Sequence, residues 1–186
     1  MPFLGAGEDR YIGGVAEKYR FTLDLPAAKQ RIYEIYLDLV PLQLETFPGA
    51  YDLVLACRQA RLRVAVASGA DKIKVVANLQ KIGLPLEFWD TVVTGDQVKH
   101  KKPAPDIFLS TARNLGVNPA ACVVVEDSVN GIQAAKAAGM RCIAVAQTFP
   151  TERLWEADIV RDKISQMRLA DLAPGLALGE SAGEVT

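Results

Sequence analysis

The stretch that decides the fold is Ala121 to Gly139, ACVVVEDSVNGIQAAKAAG. Cys122 to Val125 is a β-branched run of the kind that forms a strand buried on both faces. It leads directly into two adjacent acids, Glu126 and Asp127. Ser128 follows as a candidate helix N-cap, and an Ala-rich segment then closes at Gly139 in a C′ position. Two carboxylates between a buried strand and a helix start stand where open α/β sheets hold their ligands. Such a pair suits a hard cation such as Mg2+, which takes oxygen ligands and retains waters. The same acids can also do no more than cap the helix and interact with its dipole. The pair alone leaves both readings open.

The pattern around it is regular. Phe47-Pro48-Gly49-Ala50 is a turn, and a helix is predicted near 50–60. A strand over Arg63 to Ala67 ends at Ser68-Gly69, and a helix near 71–82 stops at Gly83. A short strand over Thr91 to Thr94 precedes a helix from Pro105 to Leu115, with Ile107, Phe108, Thr111, Ala112 and Leu115 on one face. Beyond the central stretch lie a strand at Cys142 to Ala146 and a last short one at Ile159-Val160. This alternation predicts an α/β fold with a doubly wound parallel sheet. Upstream, Asp24-Leu25-Pro26 opens a helix that runs to about Val40, with Ile32, Ile35, Tyr36 and Leu39 as its apolar stripe. The expected organisation is a helical unit over 1–47, an α/β core over 48–173 and a weakly ordered tail over 174–186. Gly5-Ala6-Gly7-Glu8 has a G-x-G spacing, but no strand precedes it, so it does not make a dinucleotide loop.

Composition bounds the partners. The 186 residues are 50% hydrophobic and 23% charged with net charge −1, ordinary for a globular protein. That balance gives no electrostatic case for nucleic acid or an anionic membrane. No apolar run approaches a bilayer span, and residues 1–20 hold no apolar signal-peptide core. The three cysteines, Cys57, Cys122 and Cys142, are widely spaced in apolar surroundings, so reduced thiols and an intracellular, soluble setting are expected.

Three strand ends would meet at one edge of the sheet. Ser68-Gly69 offers a hydroxyl and backbone N–H groups that can hold a phosphate, or a plain turn with Ser68 as N-cap. Lys102 lies in His100-Lys101-Lys102-Pro103-Ala104-Pro105-Asp106, a loop stiffened by two prolines. A fixed ammonium there can neutralise a phosphoryl group; the bland alternative is a solvated basic loop, the role expected for Lys99 and Lys101. The Glu126-Asp127 pair is the third.

Taken together, Ser68, KPAPD at 102–106 and VVVEDSVNGI at 123–132 resemble the second, third and fourth motifs of the haloacid dehalogenase superfamily. They are most similar to its β-phosphoglucomutase-like phosphatases. FLGAGEDRYIGGVA, IYEIYLD and VAVASGADKIKVVANL further resemble a chloroplast and photosynthetic branch. The resemblance implies aspartyl-phosphate chemistry with Mg2+ on a small phosphorylated metabolite. Ser68 and Gly69 would bind the phosphate, Lys102 would balance its charge, and Asp127 with Glu126 would hold the metal. Residues 1–47 would be part of a helical cap, with Asp71 and Lys72 as contacts to substrate or cap and Lys74 as a weaker one. Cytoplasm or chloroplast would be the compartment.

The chain departs from the family at its nucleophile, an Asp-x-Asp pair on a first core strand: no two aspartates here are separated by a single residue. Asp24 in FTLDLP is the nearest imitation, yet Pro26 stands where the second acid belongs. The resemblance places the absent strand between Arg63–Ala67 and Cys122–Val125. Its absence leaves two edges with unpaired N–H and C=O groups. These edges would close on each other, receive a partner chain or missing amino-terminal segment, or leave the product unstable. The expectation is an incomplete phosphatase or phosphomutase, inactive alone and with weakened Mg2+ affinity. The alternatives are a non-catalytic module binding a phospho-ligand or protein, and a receiver-like signalling domain, which late acids and the amino-terminal helices disfavour.

Overall fold

The computed structural model describes residues 7–173. The tail expected over 174–186 lies outside them. Chain order is α1 (Glu8–Lys18), α2 (Leu25–Gln43), α3 (Ala50–Gln59), β1 (Ala65–Ala67), α4 (Lys72–Lys81), β2 (Thr91–Val93), α5 (Asp106–Leu115), β3 (Val123–Glu126), α6 (Val129–Ala137), β4 (Arg141–Val145), β5 (Ile159–Arg161) and α7 (Leu169–Leu172). Short 3-10 turns fill several connections.

Every strand pairing among the described residues is parallel, and the strands form two sheets. β1 pairs with β2, with Ala65 opposite Thr91 and Ala67 opposite Val93. β4 is the centre of the other sheet, with β3 and β5 at its sides. Among the described residues β1 and β3 are not paired, so their facing edges have not closed on each other. Val125 is exposed beside this slot despite its place in a core strand.

The core explains why the Ala-rich helix follows the β-branched strand. Cys142, Ile143 and Ala144 of β4 are fully buried, and Ala134 and Ala135 of α6 reach the same state against them. Small side chains let the helix approach the strand closely, while Ile107, Phe108 and Ala112 of α5 extend the same cluster to Val93 of β2. On the opposite face Ile143 and Val145 pack with Met167, Leu53 and Leu172, which come from α3, α7 and the segment before α7. Helices thus cover both faces, as the alternating pattern predicts.

The helical pair α1–α2 packs on α4 through polar contacts. Asp71, Lys74, Asn78 and Lys81 recur at helical spacing along one side of α4 and its N-cap. Asp71 accepts from Tyr33 Oη at 2.7 Å and meets Lys29 Nζ at 2.6 Å. Tyr36 Oη donates to Asn78 at 2.8 Å, and Lys81 Nζ donates to the Pro41 carbonyl at 2.7 Å. The expected apolar stripe of α2 is therefore split: Tyr36 turns to α4, whereas Ile32, Ile35 and Leu39 stay exposed. The helix also continues past Val40 to Gln43, because a proline in the last turn removes only one backbone bond. No helix among the described residues is long and apolar enough to cross a membrane.

Candidate phosphate-binding site

The turn after β1 is held from below. Ser68 N donates to the Val93 carbonyl at 3.0 Å, and Ser68 Oγ accepts from Ala70 N at 3.2 Å. Gly95 N donates to the Ala70 carbonyl at 2.8 Å, and a Cβ on Gly95 would lie 2.9 Å from the Gly69 carbonyl carbon. Only glycine lets the two turns approach this closely. Thr94 is buried and donates from Oγ1 to Asp96 at 2.6 Å, while Asp96 accepts from Lys72 N at 3.1 Å. The Thr94–Gln97 turn thus supports both the Ser68 turn and the start of α4. The motifs read from the sequence did not include it. Its signal is Thr-Gly-Asp-Gln after a strand, a capping box with Gln97 bonded back to Thr94 N at 2.8 Å.

Lys102 spans the slot. Its ammonium pairs with Glu126 Oε1 at the end of β3 and lies 3.4 Å from the Ala67 carbonyl at the end of β1. It also sits 4.8 Å from the centre of the Phe108 ring. Lys102 and Glu126 side chains are each only 8% exposed, so neither charge is solvated enough to stand alone. Lys101, expected to be solvated, instead donates to the carbonyls of Gly95 and Val98, capping that turn.

The two acids are placed differently, Glu126 buried over the helix start and Asp127 exposed. Glu126 acts as a cap: Oε2 accepts from Asp127 N at 3.1 Å, Ser128 N at 3.2 Å and Ser128 Oγ at 2.9 Å. Ser128 Oγ in turn accepts from Gly131 N at 3.1 Å. A Cβ at Gly131 would overlap the Glu126 carboxylate, so the glycine is what admits this side chain over the start of α6. Asp127 is exposed and accepts from Thr148 Oγ1.

One cavity of about 750 Å3 joins these groups. Ser68, Gly69, Lys102, Glu126 and Asp127 line one part of it, with Glu8, Tyr11, Ile32, Phe47 and Lys74 on the helical side. Asp71 is held by the helical pair. Burial raises its carboxyl pKa, but Lys29 and Tyr33 outweigh that and hold it below the usual value. The Tyr33 hydroxyl is pushed up by its own burial and by the Asp71 carboxylate. Lys72 lines a separate cavity with Val76, Trp89 and Gln97. Lys74 faces the main cavity, paired with Glu8 at 2.9 Å. Asp24 caps α2 by accepting from Ala27 N at 3.1 Å, and does not line the cavity.

Mg2+ needs near-octahedral oxygen coordination. Both oxygens of Glu126 are engaged, Asp127 has one oxygen on Thr148, and among the described residues no three His, Cys, Asp or Glu side chains converge. These residues do not by themselves fit the ion. What they can do is present an ammonium, the Ser68 hydroxyl and the Gly69 N–H to a phosphoryl group, with an exposed carboxylate alongside.

The chain belongs to the haloacid dehalogenase-like hydrolases, whose family profile matches residues 3–139. Among individual relatives, it is 47% identical over 180 residues to Suppressor of Quenching 1, a chloroplastic protein of Arabidopsis thaliana, a match covering 94% of this chain and 17% of that protein. It is 48% identical over 85 residues to the fructose-1-phosphate phosphatase YqaB of Escherichia coli, covering 46% of this chain and 45% of the relative. The crystal structure of CbbY from Rhodobacter sphaeroides with phosphate superposes with a TM-score of 0.82 at 31% identity, covering 90% of this chain and 78% of that one. A second structure of CbbY holds xylulose-1,5-bisphosphate. The chain thus spans about half or less of the curated relatives named.

Proposed function

We propose that this chain supplies the phosphate-binding and charge-balancing part of a phosphomonoester phosphatase or phosphomutase acting on a small phosphorylated metabolite. The observation that carries the reading is Lys102, whose ammonium meets the ends of β1 and β3 beside Ser68 and Asp127 in one cavity. In this reading α1 and α2 form part of a cap over the site, and the Ser68 hydroxyl and Gly69 N–H orient the phosphoryl group. Lys102 offsets its charge. The nucleophilic aspartate and its acid–base partner belong to a further parallel strand seated between β1 and β3. Asp127 would contribute to a Mg2+ site only jointly with those acids. The fructose-1-phosphate phosphatase named above acts on a sugar phosphate and CbbY holds one, and a ligand of that class suits the cavity. The three free thiols fit a reducing compartment, cytoplasm or chloroplast.

The test uses the 186-residue chain with Mg2+ and p-nitrophenyl phosphate. No turnover is expected, while inorganic phosphate binds and Ser68→Ala weakens that binding. Turnover by the chain alone, abolished in Asp127→Ala, would overturn the need for an added nucleophile. Phosphate binding that Ser68→Ala and Lys102→Met leave unchanged would overturn the site itself.

A further inference from the structure

The cavity has a second ion pair that the phosphate reading does not use. Glu8, in the first turn of α1, meets Lys74 of α4 at 2.9 Å, with side-chain exposures of 12% and 19%. Lys74 Nζ also lies 4.3 Å from the centre of the Tyr36 ring, so its charge is held from two sides. Both residues line the main cavity, as do Lys102 and the apolar Tyr11, Ile12, Ile32 and Phe47. The neighbouring ammonium groups are committed elsewhere. Lys101 is bonded to the Gly95 and Val98 carbonyls, and Lys29 to Asp9 and Asp71.

We infer that the Glu8–Lys74 pair makes the site selective for monophosphates, whose remaining portion is uncharged and bears hydroxyls, and against bisphosphates. The inference rests on the phosphate reading above and adds to it the class of substrate. A second phosphate reaching the helical side would find one cation, Lys74, already neutralised. Taking it would displace Glu8, whose carboxylate has only Lys74 as partner among the described residues. Glu126, by contrast, keeps three further hydrogen bonds when Lys102 turns to a phosphate. Glu8 would be left poorly solvated beside a phosphate dianion. A sugar hydroxyl meets the opposite situation. It can donate to Glu8 or accept from Lys74 without breaking the pair, and the apolar rings nearby cover its carbon skeleton.

The experiment measures calorimetric binding of inorganic phosphate, fructose 1-phosphate and fructose 1,6-bisphosphate to the whole chain at low ionic strength. The wild type should bind the bisphosphate at least about tenfold more weakly than the monophosphate, the scale of a single charge-assisted hydrogen bond. Glu8→Gln frees Lys74 and should reverse the ratio by about tenfold or more in favour of the bisphosphate. The double variant Glu8→Gln, Lys74→Gln leaves no unpaired charge to unfold the site and should bring the two esters to similar affinities. A wild type that binds the bisphosphate as tightly as the monophosphate overturns the inference, as does a ratio that Glu8→Gln leaves unchanged. If inorganic phosphate binds and responds to Ser68→Ala while the esters are not discriminated, only this inference falls. If none of the three ligands binds, the phosphate reading falls and takes the inference with it.

Discussion

Gly131→Ala should destabilise this protein although it is a change that ordinarily strengthens a helix. Gly131 occupies the first turn of α6, and replacing glycine by alanine within a helix normally gains up to about 1 kcal/mol. Here the added Cβ would overlap the Glu126 carboxylate. Glu126 would have to leave the start of α6, abandoning its bonds to Asp127 N, Ser128 and the Lys102 ammonium. Lys102 is 8% exposed and would be left without its counter-charge. Breaking one side of a buried pair costs about 3–5 kcal/mol, so the net loss should be about 2–4 kcal/mol. For a chain of this size that lowers Tm by about 4–16 °C. Scanning calorimetry at pH 7 reads the shift directly. Gly13→Ala is the control, because nothing lies within 4 Å of a Cβ at that position in α1 and its Tm should rise slightly. With Lys102→Met and Glu126→Ala already in place, the extra methyl meets no carboxylate and the effect of Gly131→Ala should change sign. A Gly131→Ala protein as stable as the wild type would refute the assignment of this glycine to the carboxylate.

Three further outcomes follow from the packing. Tyr33→Phe removes the 2.7 Å bond to Asp71, worth about 1.5–3 kcal/mol to the contact between α2 and α4, and should speed amide exchange in α2 more than in β4. The Asp158 carboxyl is held below its usual pKa by Lys136 and then by Cys142 N, and Asp171 likewise by Arg161 and then by Arg168 N. Lowered folded values mean that this stabilisation is present above the unfolded carboxylate range, near pH 4, and is lost as pH falls through the folded values. Tm measured from pH 7 to pH 2 should therefore drop steeply at the acid end, and Asp158→Asn with Asp171→Asn should flatten that drop. Burial pushes the Cys142 thiol up to about 12, so disulfide reagents at pH 8 should leave it unmodified until the protein unfolds.

The sequence made the sheet elements legible wherever period and punctuation agreed. Val123–Glu126 and Val129–Ala137 fall within the quoted stretch, Ser128 caps the helix as its type predicts, and Gly139 has the positive φ of a C′ residue. Residues with one dominant local role, such as Asp24 and Pro26 at the start of α2, were equally readable. What escaped is what depends on tertiary neighbours. Ile32, Ile35 and Leu39 have a core-like period, yet they stay only partly covered, and the hydroxyls of Tyr33 and Tyr36 bond to the α4 side instead. The KPAPD motif sets Lys102 apart from Lys101 in sequence, but does not tell what either one touches. Only the fold shows that one caps a turn while the other spans the slot. Gly95 and Gly131 carry no local sign of the atoms that crowd them, because those atoms arrive from other elements.

The unpaired edges of β1 and β3 also bear on how the molecule comes apart. The β1–α4–β2 unit and the β3–α6–β4 unit are each closed by contacts short in sequence, so each can form early and open as a separate foldon. Their union rests on α5 side chains and the Lys102 bridge, with no amide ladder crossing between them among the described residues. The slot is therefore a line of mechanical weakness through the middle of the molecule. Amides of β4, paired on both sides, should outlast those of β1 by orders of magnitude in exchange, and chemical denaturation should proceed in two stages, losing β1–β2 first.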